Sequence, residues 1–179
     1  RGTTVSPRTI RTTNAMAREE LADALQAVFL AEVVAPSEQV WIVTPWISDV
    51  PIIDNRTGRL DGVWSDVPAR WLRLAEVIVH ILHSGGRITI ACRPNDHNQN
   101  FVENLRRRCR ETGVEGNLAI FEAEELHEKG ILTDHLFLMG SMNLTFNGLR
   151  RLEEAILVRE DSNTIERTRF DYRSRWSTK

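Results

Sequence analysis

Apolar positions recur along this chain in two rhythms, and the alternation between them lays out its elements. From Ala15 the rhythm is helical: Leu21, Leu25, Val28 and Phe29 fall on one face, and Pro36 ends the run. Gln39 to Pro45 (QVWIVTP) reads as a buried strand, β-branched and aromatic. Trp71 to His83 returns to the helical period, with Leu74, Val77, Ile78 and Ile81 spaced i, i+3, i+4, i+7 before Ser84-Gly85-Gly86 stops it. Arg87 to Cys92 (RITIAC) predicts the next strand. Asn95 to Asn100 (NDHNQN) reads as a polar loop, and Phe101 to Thr112 as a helix burying Phe101, Val102, Leu105 and Cys109. Leu118 to Ala123 predicts another strand, and apolar runs ending at Met139 and Val158 predict more. Asn163-x-x-Glu166 has the form of a capping box that opens a last helix through Tyr172 and Trp176. The resulting order is helix, strand, loop, helix, strand, helix, three strands, turn, strand, helix. It predicts an α/β fold: one mixed central β-sheet flanked by helices on both faces.

Two segments stand outside this pattern. Residues 1–14 carry three arginines and no acid, and read as a flexible basic arm ahead of a single domain over 15–179. Such an arm either touches DNA phosphates or is simply unpacked. Thr44 to Arg70 is a long connection holding Pro45, Pro51, Pro68, Gly58, Gly62 and two tryptophans, Trp46 and Trp64. Those tryptophans could stack the bases of a single strand, or pack the loop onto the domain, which is the commoner use of Trp.

Composition narrows the classes. A chain of 179 residues suits one well-cored domain, and a hydrophobic fraction of 41% with 27% charged is ordinary for a soluble globular protein. No apolar run approaches the ~20 residues of a membrane span, and the start lacks a signal peptide's apolar core. The chain does not begin with Met, so an upstream signal stays open. Cys92 and Cys109 form no CxxC and no disulfide framework, which fits a reducing, cytoplasmic home. A net charge of −2 gives no global basic field, so any attraction for phosphate must be local. The candidate local cluster is Arg106, Arg107, Arg108 and Arg110 on the outer face of the 101–112 helix. It could track a nucleic-acid backbone or be an ordinary solvated face. His80 and His83 stand at i, i+3 in a helix's last turn. No nearby Cys or carboxylate completes a metal set, and His is favoured at that end of a helix in any case. His97 could line a site or simply cap its loop, the second being the commoner use, and His135 reads as a turn residue.

The most informative stretch runs from His127 to Val158, HEKGILTDHLFLMGSMNLTFNGLRRLEEAILV. It contains Lys129, one of two lysines in a chain with 21 arginines, two residues after His127. In a strand over 127–133, His127 and Lys129 share a face and Glu128 points away. Ser141 and Asn143 repeat that spacing just past the next strand. An imidazole, an ammonium, a hydroxyl and an amide converging on one spot suit a phosphate: a nucleophile or proton carrier, a point cation and neutral donors.

His127-x-Lys129-x4-Asp134, followed by Gly140-Ser141-x-Asn143-x-Thr145-x-x-Gly148 and Glu154, resembles the HKD motif of the phospholipase D superfamily. The resemblance implies catalytic roles for His127, Lys129, Ser141, Asn143 and Glu154, and a structural motif of Asp134, Gly140, Thr145 and Gly148. It implies no metal and no cofactor. The superfamily builds one site from two HKD motifs; this chain has one, so the resemblance implies a homodimer in which both copies of His127 flank one phosphate. One imidazole would attack phosphorus while the other serves as acid and then base. Glu154, of the same or the other chain, would bond a His127 nitrogen and fix its tautomer. Leu152 stands where the family often has Asn, two residues before this Glu. Among the branches, a single-motif chain of this size resembles the nucleases. The expected partner is therefore DNA or another nucleic acid, contacted by the motif and by Trp46, Trp64, Arg106, Arg107 and Arg110. The stretch TPWISDVPIIDN (44–55) with a single late motif also resembles phospholipase D-like proteins of bacterial DNA-modification and restriction islands. Other proteins of a defence system then become expected partners, with no role for a membrane.

Overall fold

The computed structural model describes residues 6–177. Its centre is strand β2 (Gln39–Val43), whose alternate residues feed two cores. Val40 and Ile42 pack on one side with the helices α1 (Ala15–Val34), α2 (Leu74–His83) and α3 (Asp96–Glu111). Trp41 and Val43 pack on the other with Ile165 and Tyr172 of α5 (Ser162–Arg175). A strand buried on both faces is built of apolar residues, as Val40–Val43 is.

On one side of β2 lie β5 (Arg87–Cys92) and then β6 (Leu118–Glu122), all parallel. On the other side come β7 (Gly130–Leu132), β8 (Phe137–Gly140), β9 (Ala155–Arg159) and β1 (Arg8–Arg11), each antiparallel to its neighbour. The seven-stranded order is β1-β9-β8-β7-β2-β5-β6. This is the mixed, helix-flanked α/β sheet that the periodicity predicts.

Four local differences have physical causes. Residues 8–11, expected within a flexible arm, instead form edge strand β1 against β9; the preceding residues 1–5 lie outside the described residues. Ile10 is buried while Arg8, Thr9 and Arg11 face out, so one inward apolar residue anchors a strand whose exposed side is charged. Helix α3 begins at Asp96 and absorbs most of the expected polar loop. There the Asn95 side chain accepts from the Asn98 backbone at 2.9 Å and caps the helix. The long connection is tied down rather than loose. Its β3 (Pro51–Asp54) pairs with β4 (Trp71–Arg73), so Trp71 lies in a strand and the helix starts three residues later. Buried Asn55 holds the turn, accepting from Leu60 N at 3.1 Å and donating to Pro68 O at 3.1 Å. Finally, α5 is capped by Asp161, which accepts from Thr164 N at 3.0 Å, two residues before the expected Asn163.

Register places the informative stretch. Val43 sits opposite both Ala91 and Gly130, Gly130 opposite Met139, and Gly140 opposite Ile156. The carboxyl ends of β2, β5 and β6, the entry to β7 and the exit of β8 therefore share one edge of the sheet. Ligands of open α/β sheets bind at such an edge.

Candidate active site

Lys129 immediately precedes β7, and the ordered β7 is shorter than the expected strand. His127 and Lys129 lie in the extended approach to it. The expected alternation still holds: Glu128 turns to the α5 side, where its carboxylate accepts from Tyr172 Oη at 2.8 Å and pairs with Arg175 at 2.6 Å. On the opposite side Lys129 Nζ donates to the His127 carbonyl at 2.7 Å, which folds the ammonium back over the imidazole-bearing residue. His127 is exposed and Lys129 half-buried. Burial lowers the Lys129 pKa from its ordinary value; the Glu154 carboxylate opposes that shift and the Arg93 guanidinium adds to it. Glu154, Lys129 and Arg93 are thus electrostatic neighbours.

The turn after β8 supplies the neutral donors. Gly140 is required there by close approach: a Cβ would meet the Ala155 carbonyl oxygen at 2.1 Å. Ser141 Oγ donates to Glu154 Oε2 and accepts from Ala155 N at 3.0 Å. Asn143 Oδ1 lies 3.4 Å from Thr44 Oγ1, whose single proton it shares with the nearer Trp46 carbonyl. Thr145 caps the short helix α4 (Phe146–Arg150) by accepting from Gly148 N at 3.2 Å. A Cβ at Gly148 would lie 2.3 Å from the Asn143 carbonyl, so the glycine lets the loop carrying Asn143 close on itself.

The approach to β7 with His127 and Lys129, the turn with Ser141 and Asn143, and Glu154 at the entry to β9 thus lie at one edge of the sheet, with Gly140, Thr145 and Gly148 shaping the turn. Among the described residues, Glu154 forms no hydrogen bond with His127 of its own chain; its carboxylate is taken up by Ser141. Asp134 lies at the far end of β7. It accepts from Glu38 N at 2.7 Å and pairs with Arg169 at 3.1 Å, fastening the β7–β8 turn to the start of β2 and to α5.

The expected nucleic-acid contacts divide. Trp46 lies beside the motif: its carbonyl accepts from Thr44 Oγ1 at 3.0 Å, and Ile47 bridges to Leu144. Trp64 stacks on His80 of α2 at 4.0 Å and 19° and packs against the core, which is the structural reading of that residue. Arg106, Arg107 and Arg110 begin ten residues along α3 from Asp96, about 15 Å or more at the helical rise. Arg107 is bonded to Glu111 at 2.9 Å and Arg110 lies 3.7 Å from Glu115. The structure does not bring this cluster to the motif.

Three residues at the edge escaped the sequence pattern. Arg93, just past β5, donates from Nε to Leu126 O at 2.8 Å and so holds the approach to His127. Thr44, at the end of β2, sets Asn143. Thr12, just past β1 and 1% exposed, accepts from Glu154 N at 2.6 Å while its hydroxyl reaches Leu152 O at 3.1 Å. A polar residue at the carboxyl end of an otherwise apolar strand is the signal that could have flagged Arg93 and Thr44. The crevice beneath the motif, lined by Thr44, Lys129, Met142 and Leu144 among others, measures about 10 Å³, the limit for one water. The motif side chains therefore stand on an open shelf. Among the described residues no group of three or more His, Cys, Asp or Glu is placed to hold a metal ion, and no helix is long and apolar enough to cross a membrane.

A sheet edge carrying this motif defines a phospholipase D-like domain, and the chain belongs to that family: the family model described as cardiolipin synthase, PLD-like domain, matches residues 68–176. By that membership it is of the phosphodiesterase class. Among solved structures it is similar to NucT from Helicobacter pylori, at 15% identity and a TM-score of 0.62 over 94% of each chain. It is also similar to Nuc from Salmonella typhimurium, a phospholipase D family member, at 13% identity and a TM-score of 0.59 over 96% of this chain and 93% of that one. TrmBL2, an archaeal chromatin protein, shares 9% identity at a TM-score of 0.54, over 95% of this chain and 51% of its own. At these identities the likeness is one of fold. No curated protein matches the chain.

Proposed function

We propose that the protein is a metal-independent endonuclease acting on DNA through a phosphohistidine, with the site completed by a second copy of the chain. The observation that supports this reading is that the segment bearing His127 and Lys129 enters β7 beside the turn bearing Ser141 and Asn143, with Lys129 O accepting from Gly140 N and Glu154 buried against Ser141.

One His127 forms a bond to phosphorus as the leaving oxygen departs, and the other copy's His127 protonates that oxygen. The second imidazole, now neutral, takes a proton from water, which attacks phosphorus and releases the first imidazole. Lys129 and the Asn143 amide hold the equatorial oxygens as charge redistributes. Glu154 orients Ser141 within its own chain, and its remaining lone pairs are free for the imidazole brought in by the second copy. Assignment to bacterial DNA restriction or defence, in the cytoplasm and with other proteins of such a system, rests on the single motif. It also rests on the resemblance of residues 44–55 to the phospholipase D-like protein DpdK of the 7-deazapurine DNA-modification islands. A second reading, a DNA-binding subunit without catalysis, is favoured by the shared fold with TrmBL2, described as having a novel mode of DNA binding.

The test is hydrolysis of single- and double-stranded DNA and of a chromogenic phosphodiester in excess EDTA, wild type beside His127→Ala at matched concentration. Cleavage that survives EDTA and vanishes in the variant is the expected result. No cleavage by wild type, with DNA bound equally by both, selects the binding subunit instead.

A further inference from the structure

The shelf around the motif is flanked by a second cluster that the phosphate chemistry does not use. Trp46 is 39% exposed, unusual for the largest side chain, and meets the His97 ring edge-on with centroids 5.5 Å apart and planes at 73°. His97 is held in turn by Ser48, with Nε2 and Oγ 2.8 Å apart. Beneath them the fully buried Asn98 side chain ties the two loops together. It accepts from Ile47 N at 2.9 Å and donates to Pro45 O at 2.8 Å and Arg93 O at 2.9 Å. A buried amide with its bonds satisfied by three separate backbone positions is a rigid clamp. An exposed aromatic pair therefore rides on a fixed base instead of a mobile loop.

Arg93 connects this pair to the motif. Its backbone N–H donates to Pro45 O at 3.3 Å, its Nε to Leu126 O at 2.8 Å, and its charge is felt at Lys129. Arg93 is thus bonded through its backbone to the loop that carries the aromatic rim and is an electrostatic neighbour of Lys129. An ester without a base has no use for such a rim; a nucleotide unit has both an anion for the cations and a π-face for the rim.

We infer that Trp46 and His97, clamped by Asn98 and joined to the motif through Arg93, form a subsite for the unpaired base next to the phosphate held by Lys129. This deepens the nuclease reading by naming single-stranded nucleic acid as the preferred substrate class, because a base inside a duplex cannot offer its face to a side chain. The stack with Trp46 supplies affinity without sequence choice, since every base has a π-face. His97 limits the tilt of the platform, and Ser48 holds His97.

The test is kept apart from hydrolysis by working in the His127→Ala background. Binding of a fluorescein-labelled oligothymidylate is compared with an abasic oligomer of equal length and charge, by anisotropy. With Trp46 present the base-bearing oligomer is expected to bind about tenfold or more tightly than the abasic one, the worth of a base–aromatic stack. Trp46→Ala is expected to abolish that preference and Trp46→Phe to restore most of it. A preference that persists in Trp46→Ala, or none with Trp46 in place, overturns the subsite. Either result leaves the EDTA-resistant hydrolysis assay to judge the nuclease separately.

Discussion

Lys129 shows how much a single side chain can reveal when its chemistry is out of keeping with the rest of the chain. In a protein that otherwise uses arginine, this position has a flexible point cation, folded back onto the His127 carbonyl and partly removed from water. Burial lowers its pKa, so the ammonium loses its proton at a lower pH than an ordinary lysine. The charged form exists below that pKa and is what attracts an oxyanion. Affinity for inorganic phosphate should therefore fall as pH rises from about 8 toward 11, beginning below the ordinary lysine value of about 10.4. In Lys129→Met the affinity should be weaker and flat over the same range. Titration calorimetry with inorganic phosphate reads both; a wild-type affinity that does not change with pH would remove Lys129 from the anion site. Glu154 makes the complementary point: the motif resemblance already picks it over the adjacent Glu153, and the fold buries Glu154 against Ser141 while Glu153 is exposed.

Among the elements, β1 is the one whose contribution the amino-acid pattern conceals. Its three outward residues are polar or charged and only Ile10 turns inward, so periodicity has a single apolar position to work with. Yet the residue just after it, Thr12, accepts the Glu154 backbone N–H and reaches the Leu152 carbonyl, bracing the strand entry on which Glu154 sits. This position is where the family often places an Asn two residues earlier than the Glu; here Leu152 is exposed and the brace comes from the other end of the chain. Thr12→Val keeps the shape and leaves a buried N–H without its acceptor. The expected cost is about 1–3 kcal/mol in urea unfolding, with a drop in the hydrolysis rate larger than the drop in substrate affinity. An unchanged rate at reduced stability would show that Thr12 serves the fold and not the site. By contrast β2, α2, β5 and the motif strands are legible in the sequence, because each has several apolar residues at one period. The start of α3 is not, since its first turn is polar and is fixed by the Asn95 cap and by Asn98 reaching under Trp46. Arg93 and Thr44 are invisible to spacing for a related reason: they reach the motif through the sheet's register, and pairing between β2, β5 and β7 is a property of the whole fold.

At the scale of the molecule, the sheet edge is an incomplete enclosure. The wider concavities are elsewhere, one of about 590 Å³ on the uncovered face of β5 and β6 near Trp176 and one of about 450 Å³ between α1 and β8–β9. The motif itself faces open solvent, with one imidazole, and a two-step displacement through a phosphohistidine needs a second proton carrier on the far side of the phosphate. A second copy related by a twofold axis supplies that group without any new sequence, since a C₂ interface apposes the same residues from both chains. This has a quantitative consequence. If each active site uses both copies of His127, a dimer with one His127→Ala chain is inactive. Wild type allowed to exchange with an equal amount of His127→Ala leaves about one quarter of the dimers fully wild type, so hydrolysis per wild-type chain falls by about half. Were each chain to act alone, the added variant would leave that rate unchanged. The exchange should be run at several total concentrations, because dilution below the dimer constant must itself abolish wild-type hydrolysis. A specific rate that is constant on dilution and on mixing would show that the shelf of one chain is sufficient, and that the second proton carrier must be sought within it, with His97, bonded to Ser48 past the end of β2, as the first candidate.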